Sequence, residues 1–283
     1  MKYPVPAILL SLLIFSCEKD ITLDLQQQER RIVVDAYIEK GLPPVVLLSS
    51  DLSLYDNVDT NAIKGYGIKA DKVEINDGSN TFVLTEIHYG QSTGYTSLFM
   101  KGEYGKTYKL TITKGSKVIY AYTKIPLPVK PDSITFKPKN DTSRFGLMVL
   151  HFKDPDTLGN CYRYFTKRKR KGEEFATGSF SVFEDRLING KVFDLSIRRN
   201  TVRGEQDTTE APGERGYFRR GDTVIVKWCT IDRANFNFWR TSAISNNSNG
   251  NPFATPVTIK SNINGGIGVW GGYGAVYDTV VAR

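Results

Sequence analysis

The chain has little of what most sequence-legible enzymes use. Histidine appears twice, at His88 and His151, and neither stands in a His-Glu-x-x-His or comparable metal-ligand spacing. Cysteine appears three times, with no Cys-x-x-Cys pair to suggest a zinc or redox site. No Gly-x-Ser-x-Gly nucleophile elbow is expected. A Ser/His/Asp set assembled in space stays open. Beyond residue 15 there is no further long apolar run, so the mature chain is not expected to cross a membrane as a helix.

What is present favours strands. The 283 residues include 15 Tyr, 15 Phe and 25 Gly, with many Thr and Val, a bias toward β-structure. Hydrophobic content of 40% and charged content of 24% are those of a folded globular chain. A formal net charge of +8 suits either contact with anionic surfaces such as lipopolysaccharide or solubility alone.

The start of the chain reads as an export segment. Lys2 precedes an apolar run over residues 5–15, shorter than the roughly 20 residues a spanning helix needs. Ile14, Ser16 and Cys17 stand in an order that resembles the lipobox of bacterial lipoprotein precursors. The resemblance implies a signal peptide over residues 1–16, acylation of Cys17 and anchoring to a membrane without spanning it. Glu18-Lys19-Asp20 resembles the signal that sends some Bacteroidetes lipoproteins to the outer face of the outer membrane. Residues 17–30 include Gln26-Gln27-Gln28 and are too polar for a core, so they read as a tether.

Residues 31–129 read as an immunoglobulin- or fibronectin-like β-sandwich. Ile32, Val34, Ala36 and Ile38 alternate with Val33, Asp35, Tyr37 and Glu39, the period of a half-buried strand. Asn76-Asp77-Gly78 turns one hairpin and Lys114-Gly115-Ser116 another. About seven strands fall within about 100 residues, and Gly105-Lys106-Thr107-Tyr108 is similar to the tyrosine corner of such folds. A proline-rich connector over residues 125–131 marks the expected boundary.

Residues 132–283 read as a second antiparallel β-rich domain with one short helix over residues 233–244, capped by Asp232. Cys161 and Cys229 lie in strand-like runs. A disulfide between them and two separate buried thiols both fit an exported chain.

Three strings invite chemistry. Gly266-Ile267-Gly268-Val269-Trp270-Gly271 has the letters of a dinucleotide fingerprint without the βαβ setting, so its glycines are expected in tight turns or close backbone packing. Asp154-Pro155-Asp156 offers oxygen ligands, but it lacks the bidentate glutamate of a calcium loop and reads as a turn. Lys167-Arg168-Lys169-Arg170-Lys171 is the strongest charge feature, either a contact for lipopolysaccharide or another polyanion or a solvated hairpin tip. Nucleic acid is not the expected partner, because no aromatic stacking set in a recognised fold accompanies the run.

The tail carries the most specific likeness. Asn251-Pro252-Phe253 and then Asn262-Ile263-Asn264-Gly265-Gly266-Ile267-Gly268 join the lipobox, the strand at residues 32–41 and the Asp154-Pro155-Asp156 element. Together they resemble the Bacteroidetes lipoprotein family called domain of unknown function 4249, over nearly the whole mature chain. Members are often encoded beside TonB-dependent outer-membrane transporters, which implies an accessory surface lipoprotein. The expectation is a non-enzymatic, lipid-anchored outer-membrane lipoprotein facing the cell exterior, without a cofactor, acting as an accessory or ligand-capture subunit beside a TonB-dependent transporter. A structural or adhesive envelope protein is the alternative, and a hydrolase the third reading.

Overall fold

A computed structural model describes residues 30–51, 67–89, 92–170, 172–178, 180–200, 214–248, 255 and 257–283. The expected signal peptide over residues 1–16, the lipidation site Cys17, nearly all of the tether, Lys171 and Asn251-Pro252-Phe253 lie outside the described residues.

The first half supplies β1 (Ile32–Glu39), β2 (Val45–Ser50), β3 (Lys72–Asn76), β4 (Thr81–Val83), β5 (Thr85–Tyr89), β6 (Ser92–Thr96), β7 (Thr107–Lys114) and β8 (Lys117–Lys124). The second opens with β9 (Ser133–Pro138), β10 (Phe145–Lys153), β11 (Cys161–Arg168), β12 (Val182–Glu184), β13 (Val192–Ile197) and β14 (Phe218–Arg219). It closes with β15 (Thr223–Ile231), the helix α1 (Arg233–Ser248) and β16 (Ile267–Val281). The fold is mainly β, as expected. An eight-stranded sheet runs β12-β11-β15-β16-β1-β2-β6-β5, beside the four-stranded sheets β4-β3-β7-β8 and β13-β10-β14, the latter with β9 next to β10.

β16 decides the architecture. It pairs in parallel with β1, Val34 opposite Gly268, and antiparallel with β15, Ile231 opposite Tyr273. Both halves therefore share one sheet, and residues 31–283 form one compact unit. This corrects the expected division into bodies at 31–129 and 132–283. The proline connector is no free linker, because Val129 N–H donates to Thr230 Oγ1 at 2.9 Å and its carbonyl accepts from Trp228 Nε1 at 2.9 Å.

Period-two alternation sorts the side chains of the large sheet. Val34, Ala36 and Ile38 of β1 and Trp270 of β16 pack against Val73, Ile75, Leu110 and Ile112 of the β4-β3-β7-β8 sheet. Tyr162, Val226 and Trp228 pack against Met148, Leu150 and Phe152 of β10, with Tyr162 stacked on Trp228 at 5.1 Å. Each fully buried large side chain contributes about 1.5–3 kcal/mol. The alternate residues of the same strands face the other way, where Cys161, Cys229, Ile231, Tyr273 and Ala275 meet Phe236 of α1.

Local chemistry sets the element ends. Asp77 Oδ1 accepts from the N–H groups of Ser79 and Asn80 at 3.0 and 2.7 Å, holding the β3–β4 hairpin. Tyr108 accepts at its hydroxyl from Glu103 N–H, 2.7 Å away, the geometry of a tyrosine corner. Asp232 caps α1 by accepting from Asn235 N–H at 2.8 Å, and its other oxygen accepts from Thr123 Oγ1 at 2.7 Å, tying the helix start to β8. The helix runs on to Ser248, beyond the expected residue 244, because Asn247 and Ser248 bond back to the carbonyls of Ala243 and Ile244 at 2.7 and 2.8 Å.

Candidate ligand-binding cavity

On the helix-bearing face of the large sheet lies a cavity of about 450 Å³, within the usual range for small-molecule sites. Its floor is built by strand register. Asp35 and Tyr37 come from β1, Arg163, Phe165 and Lys167 from β11, Lys227 from β15 and Tyr273 from β16. Every one is odd-numbered on its strand and so points away from the two main cores. Trp239 of α1 forms one wall, and Glu173, Glu174 and Phe175 from the segment after β11 form another.

Arg163 is the centre of this arrangement. It is only 3% exposed, and its guanidinium carbon lies 3.5 Å from the Trp239 ring centroid and 4.6 Å from that of Phe165. Nη1 donates to the Tyr273 hydroxyl at 2.7 Å. Arg163 Nε and Trp239 Nε1 are buried without an acceptor among the described residues. Desolvation raises the Tyr273 pKa, so its hydroxyl keeps its proton.

Two carboxylates meet this face differently. Glu39 is 3% exposed and accepts from both Lys227 Nζ and the Tyr277 hydroxyl. Burial, then this hydrogen bond, raises the Tyr277 pKa. Asp35 retains solvent-accessible surface, yet desolvation raises its pKa while Arg163 pulls it down. A group on the floor of a concavity is both wet and crowded, which accounts for the pair of observations.

The basic run is divided. Lys167 lines the cavity with its Nζ 4.6 Å from the Phe175 ring centroid. Arg168 pairs with Glu173 and Arg170 with Asp222, each at 2.9 Å. The backbone N–H of Lys169 donates to the Thr223 carbonyl at 2.8 Å. Two of the four described cations are thus neutralised within the fold. Cys161 and Cys229 are buried free thiols, so the structure takes the second of the two readings left open by the sequence.

The other candidate strings are structural. Asp154 accepts from the Tyr162 hydroxyl, and Asp156 accepts from Asn189 Nδ2 at 3.2 Å, so the Asp154-Pro155-Asp156 turn between β10 and β11 is held by protein donors. Among the described residues, no group of three or more His, Cys, Asp or Glu is placed to hold a metal ion. The glycine-rich string enters β16, and no helix follows Gly271, so the dinucleotide setting is absent among the described residues. The expected absence of a Gly-x-Ser-x-Gly string is corrected in letters, since Gly90-Gln91-Ser92-Thr93-Gly94 spells it, but Ser92 opposes Tyr89 in the pairing of β5 with β6 and does not sit at a strand-to-helix turn.

Sequence reading missed one cross-strand set. His151 of β10 lies between Asp194 of β13, at 2.6 Å from Nδ1, and Thr135 of β9, at 2.9 Å from Nε2. These three side chains line neither the cavity described above nor a second one of about 520 Å³ between Asp154 and Asn189. His151 in a strand was legible; its two partners depend on pairing between three strands.

The family model for the domain of unknown function (DUF4249) matches residues 18–277. The chain belongs to this family. A search of curated proteins gives no match.

Proposed function

We propose that the protein is a lipid-anchored outer-membrane lipoprotein, facing the cell exterior, that captures a ligand as a non-enzymatic accessory subunit beside a TonB-dependent transporter. The observation that carries the capture role is the aromatic, charge-lined cavity around Arg163. The anchor rests on the residue order at Cys17, and no helix among the described residues is long and apolar enough to cross a membrane. Lipopolysaccharide contact through Lys167 and Lys169 belongs to the same reading.

Affinity purification of the full-length protein from solubilised membranes tests the role. A stoichiometric TonB-dependent receptor is the expected companion; recovery of envelope polymers alone would move the protein to the structural or adhesive class. Cys17→Ala should leave the precursor without acyl chains, and mass spectrometry finding an unmodified amino terminus anywhere other than residue 17 in the natural mature protein would remove the anchor.

The His151–Asp194–Thr135 set favours a hydrolase as second reading. Ester hydrolysis lost in His151→Ala would promote it; equal background rates for both proteins would dismiss it.

A further inference from the structure

We infer that the cavity binds a small carboxylate bearing a neighbouring hydrogen-bond donor, amino or hydroxyl, with Arg163 receiving the carboxylate and Asp35 facing the donor. This rests on the ligand-capture reading and names its chemistry. A nearly enclosed guanidinium is costly unless its charge is met. Here the protein supplies the Trp239 and Phe165 faces and one hydrogen bond to Tyr273. Among the described residues no carboxylate reaches Arg163 at ion-pair distance, and its Nε stays without an acceptor.

The neighbouring groups sharpen the choice. Lys227 is taken by Glu39, so it asks for no further anion. Arg163 is left as the deep cation, with Lys167 a second one on the same face. A guanidinium fork matches a carboxylate through two parallel hydrogen bonds. Asp35 reaches the same space, feels Arg163 electrostatically and accepts no hydrogen bond from the described residues. An acceptor and a fork set across one small space fit a ligand with a donor close to its carboxyl group. The volume of about 450 Å³ suits one small molecule, and Phe165, Tyr37 and Trp239 offer apolar walls to its remainder.

Calorimetric titration of the full-length protein tests this with two arms. L-phenylalanine and L-glutamate represent the amino arm and D-glucuronate the hydroxyl arm; L-phenylalaninamide and D-glucose lack the carboxylate. The expected result is binding in at least one arm, with the uncharged-carboxyl analogue at least about tenfold weaker, one such factor being the worth of a single lost charged contact. Arg163→Met should impose a similar loss, and Asp35→Asn should weaken the same ligand while leaving 3-phenylpropionate unaffected. If Arg163→Met fails to fold, the acid-against-amide comparison on the wild type decides alone. Equal binding of acid and neutral analogue overturns the inference and leaves ligand capture standing. Absence of all binding, with a receptor still co-purifying, overturns it and leaves the accessory role.

Discussion

Trp270 of β16 donates its indole N–H to the backbone carbonyl of Tyr108 on β7, 3.1 Å away, and both side chains are buried. The last strand of the chain is thereby fastened into the core made by the first half. Trp270→Ala should cost about 3–5 kcal/mol through the cavity it leaves. Trp270→Phe keeps most of the apolar bulk and should cost about 1–2 kcal/mol. Urea unfolding followed by far-ultraviolet circular dichroism and by fluorescence should show one coincident transition in each case, because β16 belongs to both halves. Two separated transitions, with only one moved by the substitution, would refute the shared core.

The parallel pairing of β1 and β16 depends on Gly268. Its φ is +124°, and a Cβ there would lie 1.9 Å from the Val34 carbonyl oxygen. Gly115 in the β7–β8 turn also has positive φ, +57°, but a Cβ there meets nothing within 4 Å. Gly115→Ala should therefore cost only about 1 kcal/mol from backbone strain. Gly268→Ala should cost well over about 3 kcal/mol, or prevent folding, since it adds a backbone clash to that strain. Comparable melting temperatures for the two variants would contradict the close approach.

Local signals were legible where the chain speaks to its near neighbours. Alternation at Ile32, Val34, Ala36 and Ile38, the turn at Asp77-Gly78, the cap at Asp232 and the corner at Tyr108 each depend on residues within a few positions. The glycines before Trp270 also announced close backbone packing, as Gly266 bears out: a Cβ there would lie 2.9 Å from the Ile32 carbonyl oxygen. The return of β16 to β1 was not legible, because it joins residues more than 200 positions apart and no local pattern encodes it. The cavity was hidden for the same reason. Asp35, Arg163, Lys227 and Tyr273 look like ordinary outward strand positions until the register of four strands places them on one face.

Asp35 gives the cavity a pH signature. Desolvation raises its pKa above the ordinary 3.8, with Arg163 opposing. A raised folded-state pKa means that stability is fully present below the unfolded value and is lost as pH rises through the folded one. Asp35→Asn removes that loss. The variant should melt above the wild type at neutral pH, and the gap should close as pH falls toward 3.8. Scanning calorimetry across that range checks it, and a gap that stays constant or widens in acid would count against a crowded Asp35.

Cys161 and Cys229 lie on adjacent strands but out of register, Cys161 opposite Ile231 and Cys229 opposite Arg163. Such diagonal neighbours stand about 7–8 Å apart, beyond the roughly 4.4–6.8 Å that a disulfide spans. Burial pushes both thiols from 9.0 up to about 12, which keeps them protonated and poorly nucleophilic at physiological pH. In the Cys17→Ala background, both thiols should resist an aromatic disulfide reagent while the protein is folded and react on unfolding. Intact mass should show two free thiols even after exposure to an oxidising buffer. The linked stability is present below the unfolded value of 9.0 and is lost only as pH rises toward about 12. Prompt labelling of the native protein, or a mass two hydrogens lighter, would show that β11 and β15 pair differently and would displace Arg163 from the cavity with them.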